Sequence, residues 1–286
     1  MRILFITSSS INGGAQKHIR EMFKSLLGLG HDMYIAAPNG WLLDELRDYK
    51  DRTFPLDSLK SGVRCISDVM ENVKPDITNT FILSGGILGT LAWRKKKYGK
   101  LFVTVNNPVI YDGISTIGKL FYPHMYRWMS KYVSAFLVKS DKVRDEVNNI
   151  IKDSKPVLSI KNGIDFTIFN KDAAYADLKS ELGICKSDIV ITNVAVLNER
   201  KGQQHLIEAV NILRKRYSIH LMLAGEGPSL QSLVRLTEQL RVQSYVHFLG
   251  RRSDINRVLA NTDIFVLSSY HEGLPNSLME AMAMGL

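Results

Sequence analysis

Two glutamates lie eight positions apart in a segment whose residue types suit a phosphorylated sugar ligand. Glu272 belongs to a glycine-containing loop, and Glu280 belongs to a helix predicted to begin at about Asn276. A carboxylate can accept two hydrogen bonds from a vicinal diol, and the N–H groups at a helix start attract phosphate. A solvated role is common for surface glutamates, but the spacing and the flanking Gly-Leu-Pro favour a binding site. The residues between the two glutamates that would surround the ligand are Gly273, Leu274, Pro275 and Asn276.

Glycines also stand in loops that follow other predicted strands. Gly13 and Gly14 join the first strand to the first helix, where the backbone can approach a ligand closely. Gly225 lies in a similar loop after a strand of the second half. The first loop lacks the G-x-G-x-x-G pattern and no acidic residue closes the second predicted strand, so a dinucleotide site is disfavoured. For each loop, a tight turn without a ligand is the alternative.

Short runs of Ile, Val and Phe alternate with longer segments of helical periodicity, as in an α/β protein with a parallel sheet. The carboxyl ends of parallel strands share one edge, so the loops named above are expected to lie together within each sheet. Strands are predicted at Ile3–Thr7, Met33–Ala37, Leu101–Val105, Phe136–Val138, Val157–Ile160, Ile189–Val196, His220–Ala224, Tyr245–Phe248 and Ile264–Leu267. Helices are predicted at Gln16–Leu29, Val63–Asn72, Ile87–Lys97, Lys142–Ile151, Gln203–Tyr217, Ser229–Gln239 and Ile255–Ala260.

The pattern divides near the segment Lys161–Asp165, where an Asn-Gly pair indicates a turn and a polar stretch follows. We predict two Rossmann-like domains, one over residues 1–165 and one over residues 166–286. The second has only four predicted strands and ends in a helix, so we expect it to be incomplete.

The second half resembles the nucleotide-sugar domain of the retaining glycosyltransferases of family 4. The resemblance runs through residues 196–202, 224–228 and 246–250, and most specifically through the paired glutamates within residues 272–285. The first half matches more loosely, through Gly13-Gly14-Ala15, Lys74-Pro75-Asp76-Ile77 and residues 161–165. The resemblance implies the GT-B fold, in which two doubly wound domains face each other across a cleft. The second domain would hold the donor, and the first the acceptor.

Carried over to this chain, the resemblance implies catalytic roles for Lys201, Arg200 and Glu272. Lys201, with Arg200, would face the donor diphosphate and neutralise the leaving group. Glu272 would contact the donor sugar or support its oxocarbenium-like centre, and Glu280 would hold the ribose hydroxyls. The resemblance implies no metal and no cofactor beyond a nucleoside-diphosphate sugar, with UDP as the default nucleotide. Besides Glu280 and residues 273–276, the donor-binding positions are Gly13, Gly14, Gly225, Phe248 and Arg251.

Some positions depart from the family pattern. Val196 stands where the family has an arginine, which leaves one cation fewer for the diphosphate. Asn79 and Phe81 stand where many members have histidines, and Asn106 replaces the histidine of a Thr-Val-His motif. Asn106 and His271 are the residues expected on the acceptor side.

The net charge of +9 is concentrated in the first half of the 286 residues. Residues 1–165 hold 24 basic and 16 acidic residues, and residues 91–131 hold 8 basic residues and only Asp112. A hydrophobic content of 45% excludes the disordered class, and two cysteines exclude a disulfide framework and fit a reducing cytoplasm. The first apolar run is too short for a signal peptide or a membrane span.

Residues 93–100 and 119–131 mix cations with Trp, Tyr and Phe, which suits an anionic membrane surface. A solvated helix end with core aromatics is the alternative, and no nucleic-acid partner is expected. The sequence therefore predicts a cytoplasmic glycosyltransferase, peripheral on the inner face of the membrane. It would move a sugar with retention from a nucleoside-diphosphate sugar to a lipid-linked or polysaccharide-precursor glycan. A sugar-nucleotide epimerase of the same fold and a catalytically silent binding protein are the alternatives.

Overall fold

The computed structural model of the chain describes residues 1–56, 59–110, 114–270, 272 and 274–286, without the side chains of 59–61. The chain divides into two units, Met1–Asn162 and Gly163–Leu286, and the turn identified above contains the boundary. Each unit is built on one parallel sheet with helices between successive strands, which confirms the predicted α/β class.

The first unit holds a sheet of seven parallel strands among the described residues. Its strands are β1 (Arg2–Thr7), β2 (Asp32–Ala37), β3 (Thr53–Pro55), β4 (Ile77–Phe81), β5 (Lys100–Val105), β6 (Ala135–Val138) and β7 (Val157–Ser159). The order across the sheet is β3-β2-β1-β4-β5-β6-β7. Its helices are α1 (Gly14–Gly28), α2 (Trp41–Asp44), α3 (Leu59–Val73), α4 (Leu83–Lys96), α5 (Thr116–Ser130) and α6 (Asp141–Ile151).

Four of these elements, β3, β4, α2 and α5, are absent from the predicted set. The central strand β4 reads Ile-Thr-Asn-Thr-Phe and lacks the apolar run of a buried strand. Its three polar side chains are buried, and two of them are bonded within the sheet: Thr80 Oγ1 donates to the carbonyl of Phe102, and Asn79 Oδ1 accepts from Thr104 Oγ1. Helix α5 contains Pro123, which ordinarily interrupts helical periodicity.

The second unit holds a four-stranded parallel sheet in the described part of the chain. Its strands are β8 (Ile189–Val194), β9 (Ile219–Ala224), β10 (Val246–Gly250) and β11 (Ile264–Phe265), in the order β10-β9-β8-β11. Its helices are α7 (Leu178–Glu181), α8 (Gln203–Leu213), α9 (Leu230–Leu240), α10 (Ile255–Ala260) and α11 (Asn276–Ala283). All four predicted strands are present, with ends that coincide or differ by at most two residues.

Apolar packing holds the helices on both sheets. In the first unit, Ile19 and Phe23 of α1 pack with Phe5 and Phe81, so α1 covers one face of the central strands. In the second, Ile207 of α8 belongs to the cluster formed by the buried leucines of β9. Both cores therefore fix the carboxyl edges of the strands, where the predicted site residues lie. The described part of the chain has no helix long and apolar enough to span a bilayer.

Candidate functional site

Lys201 and Glu272 form an ion pair at the carboxyl edge of the second sheet. Lys201 ends a 3-10 helix (Glu199–Lys201) that follows β8, and Glu272 belongs to the loop that follows β11. Lys201 Nζ donates to Glu272 Oε1, and the two side chains are only 13% and 18% exposed. A pair this far from solvent is weakly screened by salt, so it places one positive and one negative group at a defined position.

The backbone around Lys201 is held against the loop that carries Glu272. Asn198 Oδ1 accepts a hydrogen bond from the Lys201 N–H at 3.2 Å, and Ser268 Oγ donates to the Lys201 carbonyl at 2.8 Å. Gly202 has φ +65°, and a Cβ there would overlap the carbonyl oxygen of Ser268. The Lys-Gly pair is therefore required locally: the glycine lets the two loops touch, and the lysine reaches the glutamate.

Two buried amides that sequence reasoning missed join the same loops. Asn193 Nδ2 donates to the carbonyl of Val266 at 2.8 Å, and Gln203 Nε2 donates to the carbonyl of Val196 at 3.1 Å. Each is a polar residue at the buried end of a strand or helix, where a buried amide needs a hydrogen-bond partner. That position is what could have identified them from the sequence. Arg200 is exposed, and its carbonyl accepts from the Tyr270 N–H at 3.0 Å.

Gly225, in the loop after β9, lies against the loop after β8. A Cβ at Gly225 would overlap the carbonyl oxygen of Ala195, and the Gly225 N–H donates to the carbonyl of Gly250 at 2.8 Å. Close backbone packing thus explains this glycine without a ligand. Its donor-binding role stays a prediction.

Phe248 and Arg251 lie on and beside β10, next to that loop. Phe248 is partly buried and packs against the core cluster of this unit. The Arg251 guanidinium lies 3.5 Å from a carboxylate oxygen of Glu226, and both side chains are largely exposed. An exposed pair of this kind contributes little to stability, so Arg251 can exchange partners. The predicted contact of these two residues with the donor is untested.

Glu280 lies in the second turn of α11, the helix that follows the loop carrying Glu272. Pro275 precedes this helix and provides no side-chain cap. Leu274, Pro275 and Asn276 are all partly buried. The predicted His271 and Gly273 lie outside the described residues.

The remaining predicted residues belong to the first unit. Gly13 precedes α1 without capping it, and Gly14 is exposed, with nothing within 4 Å of the position of an added Cβ. Asn106 immediately follows β5, and its Nδ2 is buried without a hydrogen-bond partner. All three residues lie at the carboxyl edge of their sheet, as predicted.

Two histidines at the opposite edge of the second sheet are in contact. His220 Nδ1 lies 3.0 Å from His247 Nε2, and His220 Nε2 lies 3.4 Å from a carboxylate oxygen of Asp188. Burial and then His220 lower the pKa of His247. These residues lie at the amino ends of β8, β9 and β10, so they are separate from the Lys201–Glu272 site. The part of the chain that is described contains no group of three His, Cys, Asp or Glu side chains arranged for a metal.

Two family models match the two halves of the chain. The one described as Glycosyl transferases group 1 matches residues 175–286, and the one described as Glycosyltransferase Family 4 matches residues 12–167, more than half of the chain. The chain belongs to glycosyltransferase family 4. The resemblance carried by the glutamate pair is confirmed.

Relatives in this family match most of the chain. The putative glycosyltransferase EpsD of Bacillus subtilis is 27% identical over 272 residues, covering 91% of this chain and 71% of EpsD. The Escherichia coli UDP-Gal:alpha-D-GlcNAc-diphosphoundecaprenol alpha-1,3-galactosyltransferase is 23% identical, covering 100% of this chain and 78% of that enzyme.

Solved structures show the fold of this family member. Anabaena HepE in complex with UDP-glucose has a TM-score of 0.84 at 19% identity, covering 100% of this chain and 79% of HepE. Sucrose-phosphate synthase from Thermosynechococcus elongatus has a TM-score of 0.80 at 14% identity, covering 100% of this chain and 79% of the synthase. The chain thus has the GT-B type of fold that the resemblance implied.

Proposed function

We propose that this chain transfers a sugar, with retention, from a nucleoside-diphosphate sugar to a hydroxyl of a lipid-linked or polysaccharide-precursor glycan. The ion pair of Lys201 and Glu272 carries the proposal, because it puts a diphosphate-binding cation beside a sugar-binding carboxylate. Both lie at the edge of the sheet where ligands of parallel α/β domains bind.

Donor binding would replace the Glu272 carboxylate by the donor diphosphate as the negative group beside Lys201. Without donor, Glu272 compensates the charge of Lys201. A bound diphosphate supplies that negative charge itself and leaves the carboxylate for the sugar hydroxyls or the positive anomeric carbon. Arg200 adds a second cation, and Glu280 accepts hydrogen bonds from the ribose hydroxyls. We propose UDP as the nucleotide, supported by the UDP-glucose complex of HepE.

The transfer step follows from these positions. The bond between the anomeric carbon and the diphosphate oxygen breaks, and the acceptor oxygen attacks the same face of the sugar. The acceptor proton passes to the departing phosphate oxygen, and Lys201 stabilises the negative charge that develops there. Because Lys201 and Arg200 supply this positive charge, the proposed transfer uses no metal ion.

The names of relatives support a lipid-linked acceptor. The E. coli relative named above acts on a diphosphoundecaprenol-linked sugar. A Campylobacter jejuni relative, 25% identical over the whole chain, is named as an N,N'-diacetylbacillosaminyl-diphospho-undecaprenol alpha-1,3-N-acetylgalactosaminyltransferase. A substrate of this class would keep the enzyme at the inner face of the cytoplasmic membrane.

Helix α5 provides the surface that we propose for membrane contact. Leu120 and Phe121 lie three and four positions after Ile117, and the three side chains, in chain order, are 79%, 66% and 46% exposed. Part of the other predicted segment, residues 93–100, makes contacts within the chain instead. Lys96 Nζ lies 2.6 Å from a carboxylate oxygen of Glu71, and the Trp93 indole donates to the Tyr98 carbonyl. An apolar face flanked by cations suits an anionic lipid surface.

Vesicle sedimentation tests this surface. The double variant Ile117→Ser and Leu120→Ser should bind vesicles with anionic lipid at least about tenfold more weakly than the wild type, because each removed side chain loses apolar burial. Lys142→Ser, an exposed position on α6, is the matched control. Unchanged binding of the double variant would reject the α5 surface and leave transfer activity in place.

The proposed activity is tested by measuring nucleoside-diphosphate release from a panel of nucleotide sugars. Glu280→Gln should raise the KM for the donor about tenfold, the loss expected for one charged hydrogen-bond acceptor. Glu238→Gln, on the exposed face of α9, should leave it unchanged. The proposed site is contradicted if both variants raise the donor KM equally, or if Glu280→Gln leaves nucleoside-diphosphate release unchanged. Product analysis separates transfer from the epimerisation of the donor, which needs no acceptor.

A further inference from the structure

The first unit buries a lysine that pairs with a histidine rather than with an acid. Lys139 immediately follows β6 and is only 6% exposed. Its Nζ lies 2.5 Å from Nε2 of His18, in the second turn of α1. Since an ammonium can only donate, Nε2 accepts, and the neutral ring carries its hydrogen on Nδ1. Among the described residues this contact uses one of the three ammonium hydrogens, which leaves two for a ligand.

The charge of Lys139 has no carboxylate partner among the residues that the structure describes. Burial lowers the pKa of Lys139 to about 8. Burial, and then the nearby ammonium, lower the pKa of His18 to about 4, so the ring is uncharged at neutral pH. A buried cation beside a neutral ring is costly for a protein, because its charge is compensated neither by solvent nor by an acid.

Asn106 adds a second unsatisfied donor beside this lysine. Thr104 of β5 pairs in register with Leu137 of β6, so two positions further on, Asn106 and Lys139 lie level and on the same face of the sheet. That face is the one covered by α1. The Nδ2 of Asn106 is buried without a hydrogen-bond partner. After neighbouring strands there thus stand an ammonium whose described partner is a neutral ring and an amide N–H group without a partner, which points to a ligand with negatively charged oxygens.

We propose that Lys139, His18 and Asn106 form an anion site of the first unit that binds a phosphate oxygen of the acceptor. The assignment to the acceptor rests on the proposed function. The ammonium and the amide donate to the phosphate oxygens, and His18 holds the ammonium in place. The uncapped start of α1, at Gly13, adds its partial positive charge on the same side of the sheet. The acceptor class is thereby narrowed to a glycan attached through phosphate or diphosphate.

Calorimetric titration with inorganic pyrophosphate tests the site. Saturating UDP is added first, so that the second unit's proposed site is filled. Lys139→Met should weaken pyrophosphate binding by about tenfold or more, as expected for a lost hydrogen bond from a charged group, and Asn106→Ala by about threefold. Lys142→Met, an exposed lysine on α6 of the same unit, should bind like the wild type. Melting curves establish that each variant is folded.

Three outcomes are informative. If Lys139→Met and Asn106→Ala bind pyrophosphate as tightly as Lys142→Met, or if the wild type binds none, the anion site is wrong. If Lys139→Met weakens the binding of UDP alone by the same factor, the anion is the donor diphosphate, and the assignment to the acceptor is overturned. If the wild type binds no UDP but pyrophosphate binding still depends on Lys139, the site stands and the proposed donor fails.

Discussion

Two poorly exposed lysines, one in each unit, both come after a strand of their sheet but differ in their partners. Lys201 follows a strand of the second sheet and is paired with the acid Glu272. Lys139 follows a strand of the first sheet and is paired with the neutral His18. The second unit therefore compensates its cation internally, while among the described residues of the first unit no acid is paired with Lys139. Under the two proposals, a ligand would replace Glu272 as the partner of Lys201, whereas at Lys139 a ligand would supply a negative charge that the described residues do not.

The backbone around the two lysines differs as well. The second unit holds Lys201 by direct contact between loops, which demands a glycine at position 202. The first unit starts α1 with Gly14, where a side chain would meet nothing within 4 Å. The loops of one site are thus in direct backbone contact, and the other site has open space beside its helix start.

The largest effect is expected from a glycine exchange that breaks this backbone difference. Gly202→Ala should lower the free energy of unfolding by about 2 to 3 kcal/mol, because φ is +65° and the new methyl group overlaps the Ser268 carbonyl. Gly14→Ala, at the start of α1, should change it by about 0.5 kcal/mol or less. Chemical denaturation measures both. Equal destabilisation would show that the two loops are alike.

The same substitution at the two lysines should have opposite signs. Lys139→Met removes a buried, uncompensated charge and should raise the free energy of unfolding by about 1 kcal/mol. Lys201→Met leaves the Glu272 carboxylate without its partner and should lower that free energy by about 1 to 2 kcal/mol. Denaturation at neutral pH measures both values. Destabilisation by Lys139→Met would mean that another group compensates this cation.

A smaller effect is expected on the pH dependence of the free energy of unfolding, through His18. The pKa of His18 is about 4 in the folded chain and near 6.5 when unfolded, so between these values the unfolded state binds more protons. The free energy of unfolding should fall as pH drops from about 6.5 to 4, and His18→Gln should remove on the order of 1 kcal/mol of that fall. His124→Gln, at an exposed position of α5, serves as the control. Parallel pH profiles for wild type and His18→Gln would contradict a neutral His18.

Apolar periodicity predicted most of the fold because most strands here are continuous runs of Ile, Leu, Val or Phe. It failed at β4, where Thr78, Asn79 and Thr80 are buried in the centre of the sheet. Polar residues of this kind are typical of a loop, and only the structure shows that the neighbouring strand β5 provides hydrogen-bond partners for Asn79 and Thr80. Helix α5 was missed because Pro123 lies in its interior.

The two sites differed in how far they could be predicted. A characteristic spacing along the chain separates Lys201, Glu272 and Glu280, so their resemblance to a family could be found from the sequence. Lys139 and His18 are 121 positions apart, and neither belongs to a motif. Only the register of β5 and β6, together with the packing of α1, brings them to one place beside Asn106.

The most direct test of the division between a donor site and an acceptor site is a set of initial-rate measurements with both substrates varied. A diphosphate-linked lipid glycan serves as the acceptor substrate in this assay. Lys201→Gln should lower kcat/KM for the donor by about 10² to 10³, because it removes a charge-stabilising group from the transition state. Lys139→Met should raise the KM for the acceptor about tenfold and leave the KM for the donor unchanged. A rise in donor KM with Lys139→Met, or full activity with Lys201→Gln, would contradict the account.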